Sequence, residues 1–186
     1  MEPKKFKKPA FLSERQFSEH TKLYEGYVKK AGEIGEKLKA SAFEDANATL
    51  SEVRSLRRGE TFAACGIKLH ELYFENLGAS KLSGEIAKEI EAKWGSFEKF
   101  RKAFAASALS VRGWVVLAWD YDLKRLKIYA TDSHDNAIWN AVPLLVLDVY
   151  EHAYFMDFGA DRKRYVEEFF NNIDWEKVGK RFAALK

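Results

Sequence analysis

At 186 residues, 47% hydrophobic and 15% aromatic, the chain can bury a sizeable core, in one compact unit or two small lobes, without disulfide staples. A net charge of +3 is too small to argue for nucleic acid, and no run of 18 apolar residues offers a membrane span. The single cysteine, Cys65, excludes an intramolecular disulfide and fits a reducing compartment; its neighbours Ala63, Ala64 and Ile67 predict a buried structural thiol.

Residues 1–11 read as an extended basic leader with prolines at 3 and 9 and solvated lysines. No apolar stretch of the secretory kind follows, so a cytoplasmic protein is expected. Ser13 then has the features of a helix N-cap, with Gln16 as its capping-box partner. Behind it Phe17, His20, Tyr24, Tyr27, Val28 and Ala31 fall on one helical face, so His20 and Tyr27 should both point inward.

From Ile34 to Glu60 the pattern is looser. Gly32, Gly35 and the run 55–59 read as ends or connections around a short helical piece, with Arg54, Arg57 and Arg58 in solvent. A third helix is expected from about Glu60 to Leu77, closed by Gly78 as its C′ residue, with Ile67, His70, Phe74 and Leu77 facing inward. Two long helices, each with one inward histidine, make an antiparallel hairpin.

Two helices follow over about 84–93 and 96–110, the second capped by Ser96. The period then changes to that of strands over 114–120 and 126–131, and a loop containing His134 leads through Pro143 to a third strand ending at Asp148. Residues 162–182 are helical again. The expected fold is α+β: an N-terminal antiparallel helical hairpin over 1–82, then an α/β lobe over 83–186 with a three-stranded antiparallel sheet.

Four apolar residues, Leu144 to Leu147, run up to Asp148, and His152 follows four positions later. A carboxylate and an imidazole in one short segment suit a first-row metal better than calcium or magnesium, which prefer all-oxygen shells. His20, His70 and His152 all fall on buried faces or at a buried strand end, and only His134 lies on a loop. Three imidazoles and one carboxylate leave a coordination position open, as redox or hydrolytic metals require and structural zinc does not.

The run from Pro143 to Tyr154, followed by Arg162 and by residues 165–175, resembles the iron/manganese superoxide dismutase family. So do the segment His70–Gly78, the segment Gly95–Phe100, Ser107 to Ser110 and Gly113-Trp114, and the likeness extends from Leu12 to about Val178. The resemblance implies one iron or manganese ion per subunit, held by His20, His70, Asp148 and His152, and an enzyme that converts superoxide to dioxygen and hydrogen peroxide. It also implies that Tyr27 and His134 act beside the metal-bound solvent and that Trp114 lines the cavity. Glu151 would reach the partner subunit's His152, which implies a homodimer or a higher homo-oligomer.

This chain departs from the family pattern in several places. One residue is missing between His20 and Tyr27, where a π-bulge in the family's longer spacing would leave a straighter helix here. A shifted register would instead put Glu19 in the ligand place. Leu23 and Phe155 occupy the positions of the family's polar His–Tyr gateway pair, and Tyr150 and Phe74 stand where tryptophans are common. The altered gateway suggests slower or less pH-robust turnover, or, as an alternative, a metal-binding member with weak or no dismutase activity.

Overall fold

The computed structural model describes residues 2–185; Met1 and Lys186 lie outside the described residues. Ser13 opens the first helix, α1 (Glu14–Ala40), and its Oγ accepts from the Gln16 amide at 3.1 Å, a cap that contributes about 1 kcal/mol. Gln16, His20, Tyr24 and Val28 recur every four residues and share the buried face. Ser51 caps α2 (Glu52–Glu75) in the same way, accepting from Arg54 at 3.3 Å. Tyr24 meets Glu71 while Ile34 meets Gly59, so the two helices run antiparallel.

The hairpin is simpler than the sequence suggests. Gly32 and Gly35 lie inside α1, and residues 55–59 lie inside α2, so two long helices replace the three expected pieces. A glycine in a helix interior costs only about 1 kcal/mol relative to alanine, too little to break a helix held by tertiary packing. Gly78 is not a left-handed C′ residue either. Its N–H donates to the Asn172 carbonyl at 2.9 Å, and a Cβ there would stand 2.9 Å from Asp174 Oδ2. Glycine is needed at 78 for close approach.

The N-terminal arm is bound along the hairpin rather than solvated throughout. Lys4 N–H donates to Tyr24 Oη at 2.9 Å, and its Nζ pairs with Glu71 at 2.6 Å and Glu75 at 3.1 Å. Phe6 packs on Tyr24 and Phe74. Cys65 is half-buried rather than buried, because it lines a groove beside α2.

The second lobe begins with α3 (Gly84–Trp94) and α4 (Phe97–Ser110), the latter capped by Ser96. Three strands follow, β1 (Trp114–Asp120), β2 (Arg125–Thr131) and β3 (Ala141–Asp148), antiparallel in the order β2-β1-β3. Central β1 places Trp114 opposite Thr131 on one side and Asp148 on the other. Pro143 sits on edge strand β3 where the register shifts, a position that tolerates a missing N–H.

A 3₁₀ turn, Glu151–Ala153, leads to the short helix α5 (Phe155–Phe158). The tail expected as one helix is two, α6 (Arg162–Asn171) and α7 (Trp175–Ala183). Asp174 starts the second, accepting from Lys177 N–H at 3.3 Å. One hydrophobic core runs from Tyr24, Val28 and Ile67 of the hairpin through Leu117 and Leu145 of the sheet to Phe169 and Phe182. This is the α+β arrangement read from the sequence, with the end of β3 facing the hairpin.

Candidate metal centre

Strand β3 delivers a carboxylate into the interior. Leu144 to Leu147 are fully buried, and so is Asp148 at the strand's end. Its Oδ1 accepts from Tyr150 N–H at 2.9 Å, and its backbone carbonyl accepts from Tyr165 Oη at 2.9 Å. Tyr73 Oη in turn lies 2.9 Å from Tyr165 Oη, so α2 and α6 both brace the strand end. These bonds leave Oδ2 facing the hairpin.

Three imidazoles surround that oxygen. Nε2 lies 3.1 Å away in His20, 3.2 Å in His152 and 3.5 Å in His70. One donor atom from each of the four residues lies within 4.8 Å of all the others. Donors on opposite sides of an ion with bonds of about 2.1 Å would stand about 4.2 Å apart, so the cluster has the size of a first-row metal shell. His20 and His70 come from the two hairpin helices, Asp148 from β3, and His152 from the 3₁₀ turn.

The donors are chemically ready for an ion. His70 Nδ1–H donates to the Gly66 carbonyl at 2.7 Å, one helical turn back, which fixes the tautomer and leaves Nε2 bare. That Nε2 is buried with no hydrogen-bond partner, and so is His20 Nδ1. Buried polar atoms are almost always paired, so the unmet lone pair of His70, 3.5 Å from a carboxylate oxygen, marks a place for a cation. Burial pushes the His20 and His70 pKa values down, that of His70 to about 3, so both rings are neutral. For Asp148, burial works upward, but the charge and hydrogen bond of His152, with the hydrogen bond of His20, outweigh it and hold the carboxyl well below its usual range.

A second layer covers the rings. Trp114 Nε1–H donates to His134 Nδ1 at 2.7 Å, and His134 Nε2 lies 2.8 Å from Tyr27 Oη. Phe62 packs on His134 with ring centroids 4.6 Å apart. The Tyr150 ring stacks on His152 at 5.1 Å, and Phe74 packs edge-on against His20. So Tyr150 and Phe74, at positions where the resemblance implies tryptophans, contact the rings of His152 and His20.

Other sequence candidates stand apart. Glu19 is exposed and pairs with Lys22 at 2.7 Å, outside the cluster. Helix α1 is unbroken across the region, and the seven residues from His20 to Tyr27 span two turns of a straight helix. Glu151 is exposed, Leu23 is half-buried and Phe155 is exposed. From the sequence, Gln16 is the capping-box partner of Ser13. Its side chain instead crosses to the other lobe, donating to the His152 carbonyl at 2.6 Å and accepting from Met156 N–H at 3.1 Å. Ser13 N–H is met by Asp157 Oδ2 at 2.7 Å.

A helical hairpin and an α/β lobe that together enclose three imidazoles and one carboxylate define a mononuclear metal-site protein. Residues 82–181 match the model of the iron/manganese superoxide dismutases, C-terminal domain. The chain is 39% identical to the iron superoxide dismutase of Aquifex pyrophilus over 200 aligned residues, covering 100% of this chain and 93% of the relative. It is 34% identical over 182 residues to the manganese/iron superoxide dismutase of Aeropyrum pernix, covering 93% and 83%. The second manganese enzyme of Halobacterium salinarum is 38% identical over 126 residues, covering 66% and 63%. The chain belongs to the iron/manganese superoxide dismutase family.

Proposed function

We propose that His20, His70, Asp148 and His152 hold one iron or manganese ion per subunit and that the protein converts superoxide to dioxygen and hydrogen peroxide. The bare, buried Nε2 of His70, which shares a small volume with three other donors, carries this reading. The relatives named above are iron, manganese or manganese/iron dismutases, which favours this activity over a metal-binding member that has lost it.

An ion held by these four residues would supply the one-electron redox chemistry that oxidising one superoxide and reducing another require. The remaining tasks fall to the chain. Neutral imidazoles and a single carboxylate place one negative charge on the ion, and this keeps two oxidation states accessible. The second superoxide leaves as peroxide only with two protons. Trp114 is a donor, so His134 Nδ1 accepts, and in the neutral ring Nε2–H donates to Tyr27 Oη. Tyr27 therefore keeps its own hydroxyl hydrogen free to donate toward the metal side, and Phe62 shields the pair from water.

Elemental analysis paired with superoxide consumption, after reconstitution with iron and manganese separately, tests the reading. Metal near one ion per chain and activity with at least one of the two are expected. Protein with these side chains intact that takes up neither metal overturns it.

Beside His152, Phe155 and Met156 are each 52% exposed, and Glu151 is exposed next to them. This apolar face supports a homodimer in which Glu151 reaches the partner subunit's His152. Sedimentation should give at least a dimer; a fully active monomer at micromolar concentration overturns the pairing. The family model starts at residue 82, which supports a division into 1–82 and 83–186. Among the described residues no helix is long and apolar enough to cross a membrane, and the single cysteine supports a cytoplasmic setting.

A further inference from the structure

His152 sits on the shortest element of the centre. It lies in a 3₁₀ turn of three residues, Glu151–Ala153, which leads through Tyr154 to a four-residue helix. Such short pieces hold little structure of their own. Yet the His152 ring must keep its Nε2 beside Asp148 Oδ2 and its centroid 5.0 Å from that of His20.

Gln16 supplies the missing constraint. It lies on α1 four residues before His20, one turn away on the same face, and is fully buried. Its amide grips the turn at two points. Nε2 donates to the carbonyl of His152 itself at 2.6 Å, and Oε1 accepts from the Met156 N–H at 3.1 Å. That N–H is one of the first-turn amides of α5, which have no acceptor within their own helix. Both ends of the carboxamide are thus used, and a rigid 27-residue helix carries both His20 and the group that fixes His152.

We propose that Gln16 is a positioning residue that sets the spacing of His20 and His152 and thereby the tightness with which the centre retains its metal. The inference rests on the reading of these histidines as ligands. A second tie between the same elements provides the control: Ser13 N–H donates to Asp157 Oδ2 at 2.7 Å, joining α1 to α5 without touching a ligand residue.

The test compares Gln16→Met, which keeps the length but loses both bonds, with Asp157→Ala, using full-length protein loaded with manganese or iron. Three quantities are read: the rate of metal release to a chelator, the thermal midpoint of the metal-free protein, and the paramagnetic resonance spectrum of the loaded protein. Groups that orient metal ligands from outside the shell change affinity by about 10–100-fold when removed. Gln16→Met should therefore release metal at least about tenfold faster, with an altered spectrum. Asp157→Ala should stay within about twofold of wild type, with an unchanged spectrum, whatever its effect on the midpoint.

Equal release rates in the two variants, or a Gln16→Met protein that holds its metal like wild type, overturn the proposal. Should Gln16→Met fail to fold, Gln16→Glu, which keeps the acceptor for Met156 but loses the donor to His152, is read against the same control. A wild-type protein that binds no iron or manganese would sink the assignment of the ligands instead, so the two failures are distinguishable.

Discussion

The indole N–H of Trp114 donates to Nδ1 of His134 at 2.7 Å, and this bond alone sets the tautomer of the ring. Indole has no acceptor to offer, so Nδ1 must be the bare nitrogen, and burial pushes the ring's pKa down so that it stays neutral. The single ring hydrogen is then on Nε2, facing Tyr27 Oη.

Replacing Trp114 with Phe frees that choice. With a hydrogen on Nδ1, the ring would accept from Tyr27 and draw the hydroxyl hydrogen away from the metal side. Positioned proton donors contribute about 10²–10⁴-fold to rate, so a loss of tenfold or more is expected in Trp114→Phe. Ring nitrogen shifts of His134 in metal-free protein check the premise directly. A wild-type ring already protonated at Nδ1 contradicts it.

Two glycines should respond in opposite directions. A Cβ at Gly113 would stand 2.6 Å from the Thr131 carbonyl oxygen and 2.9 Å from the Asp132 carbonyl carbon, both backbone. Its own carbonyl accepts from Val149 N–H at 2.9 Å, next to Asp148, so the strand cannot slide away freely. Gly113→Ala should cost about 1–3 kcal/mol by overpacking. At Gly32 nothing lies within 4 Å, and Gly32→Ala should gain about 0.5–1 kcal/mol in urea unfolding. A neutral Gly113→Ala would show that the strand junction yields.

Alkaline stability should depend on Tyr129. Its hydroxyl donates to the Asp120 carboxylate, and losing that proton would set two anions face to face, so its pKa is pushed up to about 12. Between pH 10 and 12 the folded chain keeps a proton that the unfolded chain gives up. The contribution is therefore intact below pH 10 and lost as pH rises through 12. Phenolate absorbance in wild type minus Tyr129→Phe should show one tyrosine titrating late; a difference centred near pH 10 would refute the assignment.

Metal should stabilise the fold as well as act on it. Binding to the folded state alone adds about 4 kcal/mol when free metal exceeds its dissociation constant about a thousandfold. For a chain of this size that raises the midpoint by roughly ten degrees. Chelation should remove the increment, and His70→Ala should never acquire it. An identical midpoint with and without bound metal in wild type speaks against a preformed site.

The sequence made the site more legible than its supports. His20 and His70 could be read because each stands on an apolar helical stripe, and Asp148 because an uninterrupted apolar strand runs into it. The full lengths of α1 and α2 were hidden by Gly32, Gly35 and Gly59, whose local cost is outweighed by packing that only the folded hairpin supplies. Gln16 looks like a local cap in the sequence because its partners, at positions 152 and 156, are remote in the chain. The bond from Tyr165 to the Asp148 carbonyl and the break between α6 and α7 depend equally on distant strands and turns.

Lys4 and Arg181 pair with the same side chain, Glu75, at 3.1 Å and 2.9 Å. Residues 4 and 181, far apart in the chain, are therefore tied to one side chain on α2, and a short flexible linker should join these two segments without strain. New ends opened in the exposed connector between α1 and α2 would then give a circularly permuted protein whose four donor residues converge as before.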